Sequence, residues 1–321
     1  MIKKKHMNKE IGLVLSSGGA RGAAQIGVIK ALEKQDYKIK SLSGSSIGSI
    51  ILGMYARGEL LEFEKWITSF TEDEIVNMLG FTLKKNGILK VDGFFEILNE
   101  KFPDKNIEDL KIPCAIVATD IINNESVVFN KGSLYKAIRA SISIPSLIIP
   151  VYYNDTILVD GGVLEPIPIN ALPYSDILDV YVINLYAKEE GKSIIKEQIK
   201  DVSDTKQEKK SRRYKAFINQ IENFLSRANI RNILDYITSP ATSIDNIGYL
   251  NLLNTSTSAM VERIANLTIQ AYKPDIVIDI PKDICKTLDF GNIKELINFG
   301  EQRTYETLEK LKSNKTKGLN D

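Results

Sequence analysis

Histidine is all but missing from this chain. One residue in 321, His6, is a histidine, and it stands in a charged leader ahead of the first apolar run, where order is least expected. A serine nucleophile here would not draw its base from an imidazole, so a Ser-His-Asp triad is not expected. The same scarcity removes the Cys/His sets that hold zinc. Cysteine is scarce too. Cys114 and Cys285 lie far apart and form no C-x-x-C, which reads as buried, reduced thiols in a cytosolic protein. Neither sign of charge is in excess, with 42 Lys+Arg against 41 Asp+Glu, so the whole molecule makes no case for nucleic acid or an acidic partner. Long apolar runs are also lacking: residues 41–56 carry no charge but are too short and too rich in serine and glycine to span a bilayer. Met1 to His6 resembles the basic start of a signal peptide. The apolar run after it, Ile11 to Leu15, is shorter than a signal core, and no export signal is expected.

What the chain does have is glycine and serine at the ends of apolar strands. Gly44-Ser45-Ser46-Ile47-Gly48 lies between a short strand ending at Leu42 and the apolar helical run Ser49 to Ala56. A G-x-S-x-G on a strand-to-helix turn is the context of a nucleophile elbow, with Ser46 Oγ pushed out near the positive end of a helix. A Gly/Ser turn with Ser46 as a plain N-cap fits the same residues.

The first strand, Ile11 to Ser16, runs into Ser17-Gly18-Gly19-Ala20-Arg21-Gly22 and then a helix with Ile26, Ile29 and Leu32 on one side. Such a loop offers backbone N–H groups to an anion. A dinucleotide would want G-x-G-x-x-G and an acid ending the second strand, but the first glycine position is Ser17 and that strand ends Ser41-Leu42-Ser43. A nucleoside triphosphate would want Gly-Lys-Ser/Thr, but Gly22 is followed by two alanines. The oxyanion of an acyl-transfer reaction remains, beside the alternative of a close helix–strand turn with no ligand.

Farther on, residues 59–74 read as an amphipathic helix whose Leu60, Phe63, Trp66, Ile67 and Phe70 form a core-facing stripe rather than a cofactor box. An edge strand is expected at Ile88 to Val91, and Asp92 as the cap of the following helix. Strands are expected at 113–120, 126–129, 151–153, 156–159, 180–185 and 274–278, with helices at 133–140 and 293–311. Asp160-Gly161-Gly162 follows a strand directly. This is a good place for a site acid, and equally an ordinary Asp-Gly turn. Strands alternating with helices from 11 to 185 predict an α/β/α sandwich, a mostly parallel central sheet covered on both faces. Residues 188–245 change character and read as a helical insertion into a single domain spanning 10–312, with a disordered basic tail at 1–9 and a polar tail at 313–321. The insertion pairs Lys209, Lys210, Arg212, Arg213 and Lys215 with an apolar stripe from Tyr214 to Leu225. It reads either as a helix lying on an anionic membrane surface or as one packed on the domain.

With Gly18-Gly19-Ala20-Arg21-Gly22, Gly44-Ser45-Ser46-Ile47-Gly48 and Asp160-Gly161-Gly162 in this order, the chain resembles the patatin-like phospholipases, above all their short bacterial members. The resemblance runs from about Ile11 to Asp176 and from about Leu253 to Leu311. It implies a patatin-like fold and a serine lipid acyl hydrolase acting on a lipid or acyl ester, with no metal or other cofactor, in the cytoplasm or at the inner membrane surface. Ser46 would be the nucleophile and Asp160 its dyad partner. Gly18 and Gly19 would be oxyanion donors, Arg21 and Gly22 would support the loop, and Gly44, Gly48, Gly161 and Gly162 would shape the turns. Ser17 departs from the family loop, where many members carry a third glycine, and a serine there restricts φ. A non-catalytic lipid or acyl-chain binder on the same fold is the competing reading.

Overall fold

Short aliphatic strands buried on both faces make a sheet interior, and their order decides where the helices go. The computed structural model describes residues 9–188 and 249–317, apart from 72–73, 76–77, 79, 85–86, 286 and 288. The chain divides into two compact units, 1–188 with 264–321, and 189–263. The first unit is built from β1 (Glu10–Leu15), α1 (Ala23–Lys34), β2 (Lys38–Ser45), α2 (Ile47–Ala56), α3 (Leu60–Ile67), β3 (Gly80–Lys84), β4 (Gly87–Lys90), α4 (Asp92–Lys101), β5 (Cys114–Asp120), β6 (Glu125–Phe129), α5 (Leu134–Ser141), β7 (Val151–Tyr153), β8 (Thr156–Asp160) and β9 (Asp179–Ala187). After the second unit come the end of α6 (Tyr249–Tyr272), β10 (Ile276–Pro281) and α7 (Ile293–Lys317).

The main sheet has eight strands in the order β10-β9-β1-β2-β5-β8-β7, with β6 also paired to β5. Its pairings from β10 to β5 are parallel, and those of β6, β7 and β8 are antiparallel. The steps β1 to β2 and β2 to β5 run one way across the sheet, whereas β9 to β10 runs the other. Right-handed crossovers therefore put α1 and α2 on one face and the end of α6, from residue 264, on the opposite face. On the α6 face, Ala265 packs with Val14, Ile167, Val180 and Val182. On the other, α7 lies so close to α1 that Gly27 faces the carbonyl of Ile297 and Gly300 that of Ala24, leaving no room for a Cβ at either glycine. The result is the expected α/β/α arrangement, a mixed and mostly parallel sheet with helices on both sides.

Several local expectations shift. Helix α3 stops at Ile67, where 59–74 was expected, and Phe70 lies beyond it. Strand β4 pairs with β3 in a separate two-stranded ribbon and is not an edge of the main sheet. Asp92 is the first residue of α4 and caps nothing; its carboxylate lies 3.7 Å from Arg139 Nε instead. Helix α7 continues six residues past Leu311 to Lys317. Lys9, expected in the tail, is held by its carbonyl, which accepts from Lys38 N–H at 2.6 Å. Cys114 is buried, and burial pushes its thiol up to about 12, whereas Cys285 is only half-buried. His6 and the insertion, save for Lys188, lie outside the described residues. Among the described residues no helix is long and apolar enough to cross a membrane.

Candidate active site

Two strands meet end to end. Ser45, the last residue of β2, pairs with Val117 of β5, and Asp160, the last residue of the oppositely directed β8, pairs with Ala118. Adjacent rungs of one strand thus bring together residues 114 positions apart, and Ser46 Oγ donates to Asp160 Oδ2 at 2.5 Å. Both residues are buried, with 5% of Ser46 and 6% of Asp160 exposed.

Ser46 occupies the N-cap position of α2, but its side chain caps nothing. Its backbone sits at φ 55°, ψ −127°, a region that side-chain-bearing residues rarely occupy and that costs about 1–3 kcal/mol. Such strain persists only where neighbours enforce it. Here Ser46 N–H donates to Ser141 Oγ at 2.8 Å, and the Ser141 hydroxyl donates to the Val117 carbonyl at 2.6 Å. The N-cap alternative fails on both counts, since the hydroxyl faces the carboxylate and the backbone is not that of an ordinary cap.

Asp160 makes the expected Asp-Gly turn, capping Gly161–Val163, and faces Ser46 with its other oxygen. Its Oδ1 accepts from Gly162 N–H at 2.7 Å, and its own N–H donates to the Ser143 carbonyl at 2.9 Å. Burial pushes its carboxyl up to about 6, outweighing the hydrogen bonds from Ser46 and Gly162 that pull it down. At neutral pH the group is ionised yet more basic than an exposed aspartate.

The glycines keep the elements this close. Gly44 touches Leu52 and Gly48, Gly48 lies on the Leu15 carbonyl, Gly161 on the Val117 carbonyl, Gly162 against Ser17, Gly22 against Ile47 and Gly18 against Leu185. Gly19 takes φ +61°, the left-handed conformation that glycine adopts without strain, beside the Thr287 carbonyl. The loop is anchored from the far end of the unit: Ala20 N–H donates to Thr287 O at 2.8 Å. The buried Arg21 donates from Nη1 to the carbonyls of Lys282 (3.2 Å) and Cys285 (3.3 Å). Ser17 does not take a positive φ, and its hydroxyl shares a short hydrogen bond with the Tyr186 phenol, so the serine fits the loop without strain.

Beside Ser46 opens a cavity of about 140 Å³ whose walls carry no charged side chain. Gly19, Ala23, Ile47 and Ile50 form the side nearest the loop and elbow, and Leu89, Phe94, Ile144, Ile148 and Phe290 complete it. Phe63 and Ile67, read from sequence as core, line this cavity. Ser141, Thr287 and the wall from Ile142 to Ile148 had no reading as site residues. The alternation of serine and isoleucine over 141–144, ahead of Pro145, was the available signal. Among the described residues no group of three His, Cys, Asp or Glu side chains could hold a metal ion.

The sequence model of the patatin-like phospholipases matches residues 13–173. The chain is similar to an uncharacterised NTE family protein of Mycobacterium tuberculosis, 28% identical over 93% of this chain and 91% of that protein. It is also similar to lysophospholipase NTE1 of Meyerozyma guilliermondii, 33% identical over 51% of this chain but only 12% of that much longer protein. Among solved structures, VipD from Legionella pneumophila gives a TM-score of 0.47 at 12% identity, covering 94% of this chain and 67% of that chain.

Proposed function

This chain belongs to the patatin-like phospholipase family, and from that premise we propose that it is a serine lipid acyl hydrolase working through Ser46 and Asp160. The observation that carries the reading is the hydrogen bond to Asp160 from Ser46, which itself lines an uncharged apolar cavity. An acyl chain enters the cavity and brings its ester carbonyl to Ser46. Ser46 Oγ attacks the carbonyl carbon while its proton passes to Asp160 Oδ2. The amides of Gly18 and Gly19 hold the developing oxyanion; the support for this is that Gly19 shares the cavity wall with Ser46. The protonated Asp160 then gives its proton to the departing alcohol. Water, deprotonated in turn by Asp160, attacks the acyl carbon, and Asp160 returns that proton to Ser46 Oγ as the carboxylic acid leaves. The carboxyl raised to about 6 suits both directions of transfer. Relatives named lysophospholipases favour a lysophospholipid or similar single-chain ester as substrate.

The test is labelling with a serine-reactive fluorophosphonate followed by peptide mapping. Label is expected on Ser46 alone, and Ser46→Ala should abolish both labelling and ester turnover with the fold intact. Label on Ser45 or Ser49, or turnover that survives Ser46→Ala, would reject the assignment.

A further inference from the structure

The end of the sheet that carries Ser46 and Asp160 does not stop at them. Beyond Ala118, its partner Asp160 and their neighbours, three strands continue upward: Asp120 pairs with Leu158 and Leu158 with Val151, then Ile121 N–H donates to the Ile157 carbonyl at 3.1 Å and Ile157 pairs with Tyr152, and last Thr156 pairs with Tyr153. At about 3.4 Å per residue, this tip stands roughly 10–13 Å beyond the catalytic pair. Beside the polar turns Asn123-Asn124 and Asn154-Asp155 it carries four large apolar or aromatic residues open to solvent: Ile121 is 49% exposed, Ile122 58%, Tyr152 61% and Tyr153 53%.

The exposed residues come in neighbouring pairs. Successive strand residues point to opposite faces of a sheet, so Tyr152 and Tyr153 are bare on both faces at once. A partner protein docking on a flat surface covers one face. A medium into which the tip dips covers both. The tip is also held firm, because Asp120 Oδ1 accepts from the N–H groups of Ile122 (2.8 Å) and Asn123 (3.1 Å), and Oδ2 accepts from Asn123 Nδ2 at 2.8 Å. Isoleucine with tyrosine, an apolar body with a polar edge, is the composition that settles at a lipid–water boundary. The segment follows the cavity wall in the chain: Ile148, which lines the cavity, precedes Val151 by three residues.

We propose that this sheet tip, through Ile121, Ile122, Tyr152 and Tyr153, inserts into the surface of a lipid aggregate and seats the mouth of the cavity on it. Residues 120–129 and 151–160 contain no lysine or arginine, while Glu125 and Asp155 are acidic. The surface it fits is therefore a zwitterionic one, with attachment by apolar burial rather than by headgroup charge. This differs from the basic insertion, whose expected attraction is to anionic membranes and is weakened by salt. The proposal rests on the acyl-hydrolase reading only for what enters the cavity, so binding is measured in a protein that cannot turn over.

Full-length Ser46→Ala protein is mixed with phosphatidylcholine vesicles, with and without phosphatidylserine, at low and high salt, and bound protein is recovered by flotation. The same measurement is made with Ile122, Tyr152 and Tyr153 all changed to serine. The expected result is binding to pure phosphatidylcholine that salt does not weaken, reduced about tenfold or more in the triple variant, given the apolar area removed. In the Ser46 background the triple variant should hydrolyse a short soluble ester at the parent rate, which shows its fold intact, and lose rate only on vesicle substrate. Failure of the parent to float overturns the proposal, as does equal flotation of parent and variant, or binding that needs phosphatidylserine and disappears at high salt. A parent dimer that the triple variant breaks also overturns it, since the tip would then be a contact between copies. Loss of soluble-ester turnover in the parent would instead strike the dyad reading and leave this one standing.

Discussion

A carboxyl that loses its proton only near pH 6, hydrogen-bonded to a serine in a strained backbone, sets the behaviour of the site at the residue scale. With Asp160 as base, kcat/KM should rise with pH through about 6 and level off above it. Asp160→Asn should lower kcat by roughly 10²–10⁴, the usual loss for a general base. The same carboxyl bears on stability in a defined direction. Its folded value lies above the 3.8 of a free aspartate, so its contribution is fully present below that value and is lost as pH rises through about 6. Asn mimics the protonated form, so Asp160→Asn should melt higher than the parent at pH 8, with the gap closing toward pH 4. A variant that is both inactive and less stable at pH 8 would contradict the account. Ser141 acts through the backbone of Ser46. Ser141→Ala should cost about 10–100-fold in kcat through misplacement of the nucleophile, with KM and the pH midpoint unchanged. Ser46 and Asp160 were legible because each sits in a compact local motif at a strand end. Ser141 was not, because its partner lies 95 positions away and nothing near it in sequence names that partner.

At the scale of elements, strand runs such as Ile11 to Leu15 and Cys114 to Asp120 were legible because burial on both faces writes an unbroken aliphatic string. Helix surfaces were harder. Helix α1 was expected to bury one side, yet nearly all of it is buried, because α7 closes over the face that Gly27 leaves open. A glycine within a helix carries no sign of which distant backbone it admits. Gly27→Val should therefore destabilise the protein by about 1–3 kcal/mol, the cost of overpacking, seen as a lower urea midpoint with the slope unchanged. An unchanged midpoint would mean that α1 and α7 are not in this contact. The walls of the cavity posed a second ambiguity. Phe63 and Ile67 recur at helical spacing whether they face a filled core or a space for a ligand, and periodicity cannot separate the two. Helix ends differed for a simpler reason: Asp92 and the polar residues after Leu311 suit either a cap or a frayed turn, and packing around them decides.

At the scale of the whole molecule, the alternation of strands and helices was enough to predict a covered, mostly parallel sheet. The junction of β2 with β8 was not predictable, since it depends on which edge of β5 each strand takes. One further contact reaches across nearly the full chain. The glycine loop begins at residue 18, yet it is pinned by Ala20 to the Thr287 carbonyl and by Arg21 to carbonyls 261 and 264 positions later. On a ribosome the N-terminal part of a chain is free to fold before the rest has emerged. Serine and aspartate can meet once β8 is out, and Ser17 can already bond Pro166 and Tyr186, but the Ala20 and Arg21 anchors of the loop form only when the residues after β10 arrive. A nascent chain stalled before residue 274 should thus resist fluorophosphonate labelling that the released, full-length chain accepts. Strong labelling of the stalled chain would show that the loop finds its shape unaided. Assembly of the site would then be timed by the order of synthesis: the strands that carry Ser46 and Asp160 come first, and the contacts that fix Ala20 and Arg21 beside them come only with the residues after β10.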